Sequence, residues 1–423
     1  MKILRTLLSI ILCSVLLGLI FSEAGLRRQI EELLPLERTT DTEAGTGGTG
    51  SAPAGSGQNG NNPDTENSGE EADGNGKPRD ASGLLLNRSP SFYYYSCLTP
   101  EEQALYDLLL EAASDPMSTE EGRGLQTGLD PGGEDFHERF MRVCDALLYD
   151  HPEFFWLYQG QSGFQFSYFS LPDAAGSWTI HASLTKEWSE YGSKMALFNA
   201  AVSDFLSDID TEAPDAAVAM AIHDKLIDMV SYGDTSAAAS DDSHTAFGAL
   251  VADSSGNPCT AVCDGYAFAY EYLLQQCGIP CTMVFGYAGK NGEEASRHAW
   301  NLVCLDGEWY EVDPTWNDRE IWREYDEEAW LLLDDAMNDT RYWNRIRHYL
   351  FNVTTETITC FNPDDSWRYE GAGGWVTFLE SSVHIRFEYK ERAETGDYVA
   401  DLPPVATGTR YSYDMLVNND WTP

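Results

Sequence analysis

A thiol, an imidazole and a carboxylate stand in this chain in an order that suits covalent catalysis: Cys263 in AVCDGYAFAYEYLLQQCGIPC, then His298 and Asp313 in SRHAWNLVCLDGEWYEVDPTWND. A thiolate attacks carbonyl carbon. An imidazole beside it can take the thiol proton and return it to a leaving group, while a carboxylate orients the ring and stabilises its cation. The chemistry such a set performs is cleavage of an amide through a thioester.

Three elements must position these side chains. From Cys263 to Cys277 the residues are mostly good helix formers, Gly278 suits the position after a helix end, and Pro280 blocks continuation. A helix is therefore expected to begin at the cysteine and stop at Gly278. Cys263 then sits at the positive end, where unpaired N–H groups and the helix dipole favour a thiolate and can also stabilise an oxyanion. The segments HAWNLVCL and EWYEVD meet at Asp306-Gly307, a two-residue hairpin signal. With that turn, Leu305 lies opposite Glu308, Trp300 opposite Asp313, and His298 opposite Thr315. His298 and Asp313 share one face of the ribbon as diagonal neighbours, about 7–8 Å apart, a gap that leaning side chains close into a hydrogen bond. A bulged turn would break this parity. Trp300, Tyr310 and Trp316 read as packing residues, and Asn301, of opposite parity, points to the other face in a structural role.

The three blocks VCDGYAFAYEYLLQQCGIP, RHAWN and WYEVDPTWND, in this order and spacing, resemble the transglutaminase-like superfamily, which also contains peptide N-glycanases and bacterial proteases. The resemblance runs from roughly Pro214 to Arg319. It implies an α+β fold with a papain-like core, in which a nucleophile helix packs on an antiparallel sheet behind a mainly helical N-terminal region. Carried over by position, Cys263 is the nucleophile, His298 the general base and acid, and Asp313 the orienting carboxylate. SHTAFGALV before the cysteine and DHPEFFW near His151 also resemble bacterial members. The stretch VADSSGNPCTAVC is longer and more polar than the expected connector, which sets the entry side of the cleft and Cys259 apart from the pattern.

Around this core the chain divides by composition. Lys2 and Arg5 precede an uncharged stretch from Thr6 to Ser22, with Ser22-Glu23-Ala24 as a small-x-small site, so residues 1–24 read as a signal peptide or an N-terminal anchor of an exported protein. Cys13 follows the large Leu12 inside the apolar run and does not suit lipidation. After a juxtamembrane segment, 25–38, residues 39–83 are Gly, Ser, Thr, Asn, Pro and acid, too poor in apolar side chains to build a core. Such a tether spans a root-mean-square distance of roughly 35–40 Å.

Residues 84–210 form an expected helix-rich region. Thr99-Pro100-Glu101-Glu102 is a capping box with proline at the first helical position, and helical spacing recurs through Phe136, Phe140, Val143 and Leu147. Phe164 to Tyr168 and Trp178 to Leu184 alternate like paired strands. The core itself is assigned to 211–350. Residues 351–423 form a C-terminal β extension with strands from Trp375 to Leu379 and Val383 to Tyr389.

The formal net charge is −43, of which the tether supplies −6 through eight acids set against Lys77 and Arg79. Acidity of this size on the folded part excludes nucleic acid as a partner and favours cationic protein or peptide substrates, such as proteins of the cell envelope. The membrane is met only through the N-terminal segment. Asp334-Asp335 and Asp364-Asp365 lack the loop pattern of a calcium site, and neither metal nor cofactor is expected. Nine cysteines, less Cys13 and a reactive Cys263, leave an odd number, so this is not a disulfide scaffold. Cys277 and Cys281 could bridge across their Gly-Ile-Pro turn but read as small apolar residues.

Three functions fit the sequence. One is acyl transfer from a glutamine carboxamide to a lysine amine, which cross-links proteins. Another is hydrolysis through the same thioester by a protease or amidase. The third is a surface binding module that keeps the fold without turnover, whose usual mark is a lost catalytic residue; none is lost here.

Overall fold

The computed structural model describes residues 92–114, 124–133, 135–158, 164–170, 177–184, 190–233, 241–251, 259–290, 295–318, 344–345, 347–359, 368–371, 374–377, 382–386 and 403–418. The expected signal or anchor, the tether and the two Asp-Asp pairs lie outside the described residues. Within them, no helix is long and apolar enough to cross a membrane.

Helix α1 (Tyr93–Cys97) leads into α2 (Pro100–Ala113), then β1 (Gly124–Thr127), α3 (Phe136–Asp150), α4 (Phe155–Tyr158), β2 (Phe164–Ser170), β3 (Trp178–Leu184) and α5 (Tyr191–Ser207). The start of α2 follows from its sequence. Thr99 accepts from the Glu102 N–H, the Glu102 carboxylate returns a bond to the Thr99 N–H at 2.9 Å, and Pro100 sits at the first helical position. Strands β2 and β3 pair antiparallel as the alternation implies, with β1 on the far side of β3. Asp150, the last residue of α3, ties this region together. Its carboxylate accepts from the Tyr94 N–H at 3.2 Å, the Tyr95 N–H at 2.8 Å and the Tyr106 hydroxyl at 3.2 Å. Burial outweighs these bonds and pushes its pKa up to about 7.

Helix α6 (Asp215–Met229), strand β4 (Ser231–Tyr232), a 3-10 turn (Asp241–His244), helix α7 (Ala246–Leu250) and strand β5 (Thr260–Ala261) come next. Helix α8 (Cys263–Gln276) then passes into β6 (Cys281–Lys290), β7 (Ser296–Leu305), β8 (Glu308–Val312) and the short α9 (Pro314–Asn317). After α10 (Thr355–Thr359), the strands β9 (Arg368–Gly371) and β10 (Gly374–Thr377) pair with each other, β11 (Ser382–Arg386) follows, and α11 (Tyr413–Asn418) closes the described chain.

The fold is α+β. Helix α8 starts at the cysteine, as its sequence demands, and ends in a Schellman turn: the Gly278 N–H reaches the Gln275 carbonyl at 2.9 Å and the Ile279 N–H reaches that of Leu274 at 3.0 Å. It is buried almost all round. Tyr266, Phe268, Tyr270, Tyr272, Leu273 and Leu274 all lie in the core, and at ~1.5–3 kcal/mol for each large apolar side chain removed from water, packing fixes the helix far more firmly than any one polar contact. Polar contacts set its rotation and height. The Tyr270 hydroxyl donates to the Ala219 carbonyl of α6 at 3.1 Å, the Asn301 amide to the Ala267 carbonyl at 3.0 Å, and the Gln275 amide to the Asp150 carbonyl at 3.2 Å. The last of these links the N-terminal region to α8.

The sheet beneath α8 has the order β11-β6-β7-β8 and is antiparallel throughout. Asp306 and Gly307, with φ of 51° and 81°, make the two-residue turn that the sequence implies. Leu305 consequently lies opposite Glu308, and Asn301 opposite Val312. Strand β11, expected in a separate C-terminal extension, is instead an integral strand of this sheet: Arg386 pairs with Gly286 and His384 with Ala288. Sequence could not place it, because its partner lies almost a hundred residues upstream and strand pairing over such a distance leaves no local signature. No disulfide joins any two of the seven described cysteines, Cys277 and Cys281 included.

Gly286 is where β6 meets both neighbours most closely. A Cβ there would lie 2.1 Å from the Ile385 carbonyl oxygen and 2.8 Å from the Trp300 ring. Gly286→Ala is expected to push β11 off the sheet and to cost about 1–3 kcal/mol, the usual range for overpacking, read as a lowered urea midpoint; an unchanged midpoint would show that β11 does not press on β6.

Candidate active site

Paired residues of an antiparallel sheet share a face, so His298, Trp300, Glu311, Asp313, His384 and Arg386 all rise from one side. The alternate residues Met283, Ala299 and Val303 turn to the core beneath α8. The parity deduced for His298 and Asp313 is therefore present, and their side chains close the diagonal: His298 Nε2 lies 2.7 Å from Asp313 Oδ2. Asp313 is fully buried and His298 nearly so, whereas Cys263 at the tip of α8 is half-buried. The Cys263 sulfur is near enough to the His298 ring to act on its charge. Because Nε2 faces the carboxylate, Nδ1 is the ring nitrogen left for sulfur.

The charges follow from this geometry. Burial by itself would drive His298 to lose its proton, but the charge and hydrogen bond of Asp313, together with the Cys263 contact, push its pKa up to about 10. Burial would likewise raise Asp313, yet the charge and hydrogen bond of His298, with a further bond from His384, hold its carboxyl well below the usual carboxylate range. The pair is a buried imidazolium–carboxylate.

Asp313 is fixed from every side. It is the N-cap of α9, its Oδ1 accepting from the Trp316 N–H at 3.1 Å, and its own N–H donates to the Leu350 carbonyl at 2.9 Å. Trp300, expected as packing, stacks on His298 with ring centroids 6.0 Å apart and donates its indole N–H to Glu311 at 2.7 Å. Trp316 stands edge-on to His298 at 6.1 Å. Tyr310 lies with the core beneath α8, and Asn301 holds α8 in place, as their parity implies.

Residues 203–314, which include Cys263, His298 and Asp313, match the family model of the transglutaminase-like superfamily. The chain carries a transglutaminase-like domain. Kyphoscoliosis peptidase from Mus musculus and from Homo sapiens are each 39% identical over 61 residues, 13% of this chain and 9% of the relative. The chain thus spans a small fraction of the length of those curated relatives. Among solved structures, the crystal structure of a TGase aligns with 47% of this chain and 52% of its own at 13% identity and a TM-score of 0.24. A candidate cysteine protease from Cytophaga hutchinsonii aligns over 36% and 64% at 16% identity and a TM-score of 0.22.

Several residues around this site lie beyond what the sequence blocks reveal. His384 reaches Asp313 from β11. Glu311, on the same face, is buried and binds Trp300, Thr355 and Arg386; a carboxylate of the same parity as Asp313 in EWYEVD is the signal that marks it. His244, from SHTAFGALV, places Nδ1 2.8 Å from Asp264, the neighbour of the cysteine, and Ser243 accepts the Val262 N–H at 3.0 Å. That stretch thus buttresses the start of α8. Cys259 is buried, its carbonyl taking the Ser231 N–H at 2.9 Å to anchor β5 beside β4.

Two groups among the described residues bring His and Asp atoms close enough to share a metal ion: His298, Asp313 and His384, and separately His223, Asp224 and His348. In the second, the bonds already account for the donors. The Asn317 carbonyl oxygen accepts from the Leu350 N–H at 3.1 Å, so its amide donates to His223 Nε2 at 2.9 Å, and His223 Nδ1 donates to Asp224 at 2.9 Å. Burial pushes His223 down to about 4, which keeps it neutral. This cluster pins α6 to the end of α9, and so supports Asp313 from behind.

The His298–Asp313 pair makes stability depend on pH in a definite direction. His298 has a folded value above its unfolded one of about 6.5, so its contribution is complete below that pH, falls as pH rises, and is gone above about 10. Asp313 runs the other way, contributing above its unfolded value of about 3.9 and losing that contribution as pH falls through its folded one. Chemical denaturation from pH 7 to 10 should show wild-type stability falling, and His298→Gln should flatten that slope; equal slopes would mean that His298 carries no extra proton.

Proposed function

We propose that this protein is an exported cysteine enzyme that acts on protein or peptide amides by acyl transfer, with Cys263 as nucleophile, His298 as general base and acid, and Asp313 as the carboxylate that orients His298. The observation that carries the reading is the buried His298–Asp313 hydrogen bond at 2.7 Å, with the half-buried Cys263 thiol at the start of a helix near enough to act on the same imidazole. The thiolate adds to the amide carbon while the first N–H groups of α8 face the developing oxyanion. His298 gives its proton to the departing nitrogen, the C–N bond breaks, and a thioester remains on Cys263. An amine then loses its proton to His298 and attacks the thioester, and the thiolate leaves.

Hydrolysis, with water in place of the amine, is the second reading. It is favoured by the name of the matched relatives, which are peptidases. In this reading the expected N-terminal signal or anchor takes the enzyme outside the cytoplasm, and its acidic balance favours cationic proteins of the envelope or surroundings as substrates.

The full chain and Cys263→Ala, each incubated with a glutamine-rich protein and a tagged primary amine, separate these readings by intact-mass spectrometry. Amine adducts that vanish in the variant establish transfer. Cleavage or deamidation that depends on Cys263, without adducts, establishes a hydrolase, and products identical in both proteins would sink the assignment of a thiol enzyme.

A further inference from the structure

His384 lies in the middle of β11, fully buried, with Trp300 and Trp316 each 5.2 Å away by ring centroid and both edge-on. Its Nε2 is 2.8 Å from Asp313 Oδ2, the same oxygen that His298 Nε2 approaches to 2.7 Å. A carboxylate only accepts hydrogen bonds, so both imidazoles carry a proton on Nε2. They differ on the other side. His298 Nδ1 is the nitrogen left for the cysteine, whereas His384 Nδ1 is buried with no hydrogen-bond partner among the described residues. A second proton, on His384 Nδ1, would find no acceptor among the described residues, and burial lowers the pKa of this ring against the opposing pull of Asp313. One carboxylate oxygen is thus shared by a cationic imidazole that can exchange its proton and a neutral one that cannot.

We propose that His384 is a positioning residue for the proposed thiol chemistry: its Nε2–H fixes Asp313 Oδ2 on the side away from His298, so that the carboxylate always meets His298 Nε2 and His298 Nδ1 always faces Cys263. The α9 cap holds only Oδ1. Without the second imidazole, Oδ2 is held by the same ring that it is supposed to orient. The consequence for reactivity rests on the reading of Cys263 and His298 given above, but the hydrogen bond does not.

Two substitutions separate this role from packing. A ring that merely fills the space between two tryptophans is replaced better by phenylalanine than by glutamine. A ring that donates from Nε2 is replaced better by glutamine, whose amide nitrogen falls near that atom. Full-length wild type, His384→Phe and His384→Gln would be compared for the rate of Cys263 alkylation by iodoacetamide at neutral pH, with folding checked by thermal melting. His384→Phe is expected to slow alkylation roughly tenfold to a hundredfold, the usual loss on removing a partner that orients a reactive ligand, and His384→Gln to stay within a few-fold of wild type. The reverse order would overturn the proposal.

Nitrogen NMR of histidine-labelled wild type supplies a readout that needs neither variant nor turnover. His384 is expected to be protonated on Nε2 alone, and a proton on Nδ1 instead would also overturn the proposal. If wild-type Cys263 reacts no faster than an ordinary free thiol, the thiol-enzyme reading fails, while the NMR result still decides the role of His384.

Discussion

A carboxylate without solvent must collect its hydrogen bonds from the protein, and Asp313 collects them from strands and a helix end that are far apart in the chain. Its two oxygens receive His298 from β7, His384 from β11 and the Trp316 N–H from α9, and its backbone is held by Leu350. Removing an ionised group from water costs several kcal/mol even after relaxation, so such a residue persists only where this set of donors is complete. The completeness requirement explains much of the architecture: the tight Asp306-Gly307 turn, the close approach at Gly286, and the polar cluster of His223, Asp224, His348 and Asn317 behind α9.

Cys263 is held by the opposite kind of physics. Helix α8 is gripped by apolar burial on nearly every side and is set in rotation by three polar contacts from α6, α3 and β7. Cys263 therefore moves with the core of the whole molecule, and the N-terminal region shares in that core. One consequence is that the sulfur stays half-exposed at a rigid helix tip while the groups that tune it stay dry.

How far the sequence reveals this depends on the range of the signal. The limits of α8 follow from local chemistry, Cys263 at one end and Gly278 and Pro280 at the other. The hairpin follows from two turn residues, and the register it imposes brings His298 to Asp313. The capping box at Thr99 is equally local. What local rules do not reach is β11. VHIRF reads as a strand, but nothing near it says which strand it joins, so His384 could not be connected to a carboxylate seventy-one positions earlier. The second polar cluster is hidden for the same reason, since its members come from α6, α9 and the segment before α10.

The place of β11 at the edge of the sheet also has a meaning in time. A ribosome delivers Cys263, His298 and Asp313 well before it delivers His384, and Arg386 joins Glu311 only in that same late strand. A nascent chain that has emerged through Asp313 holds these three residues but not the strand that finishes the surroundings of the carboxylate. The order of synthesis therefore delays completion of the site until β11 has followed Asp313 out of the ribosome.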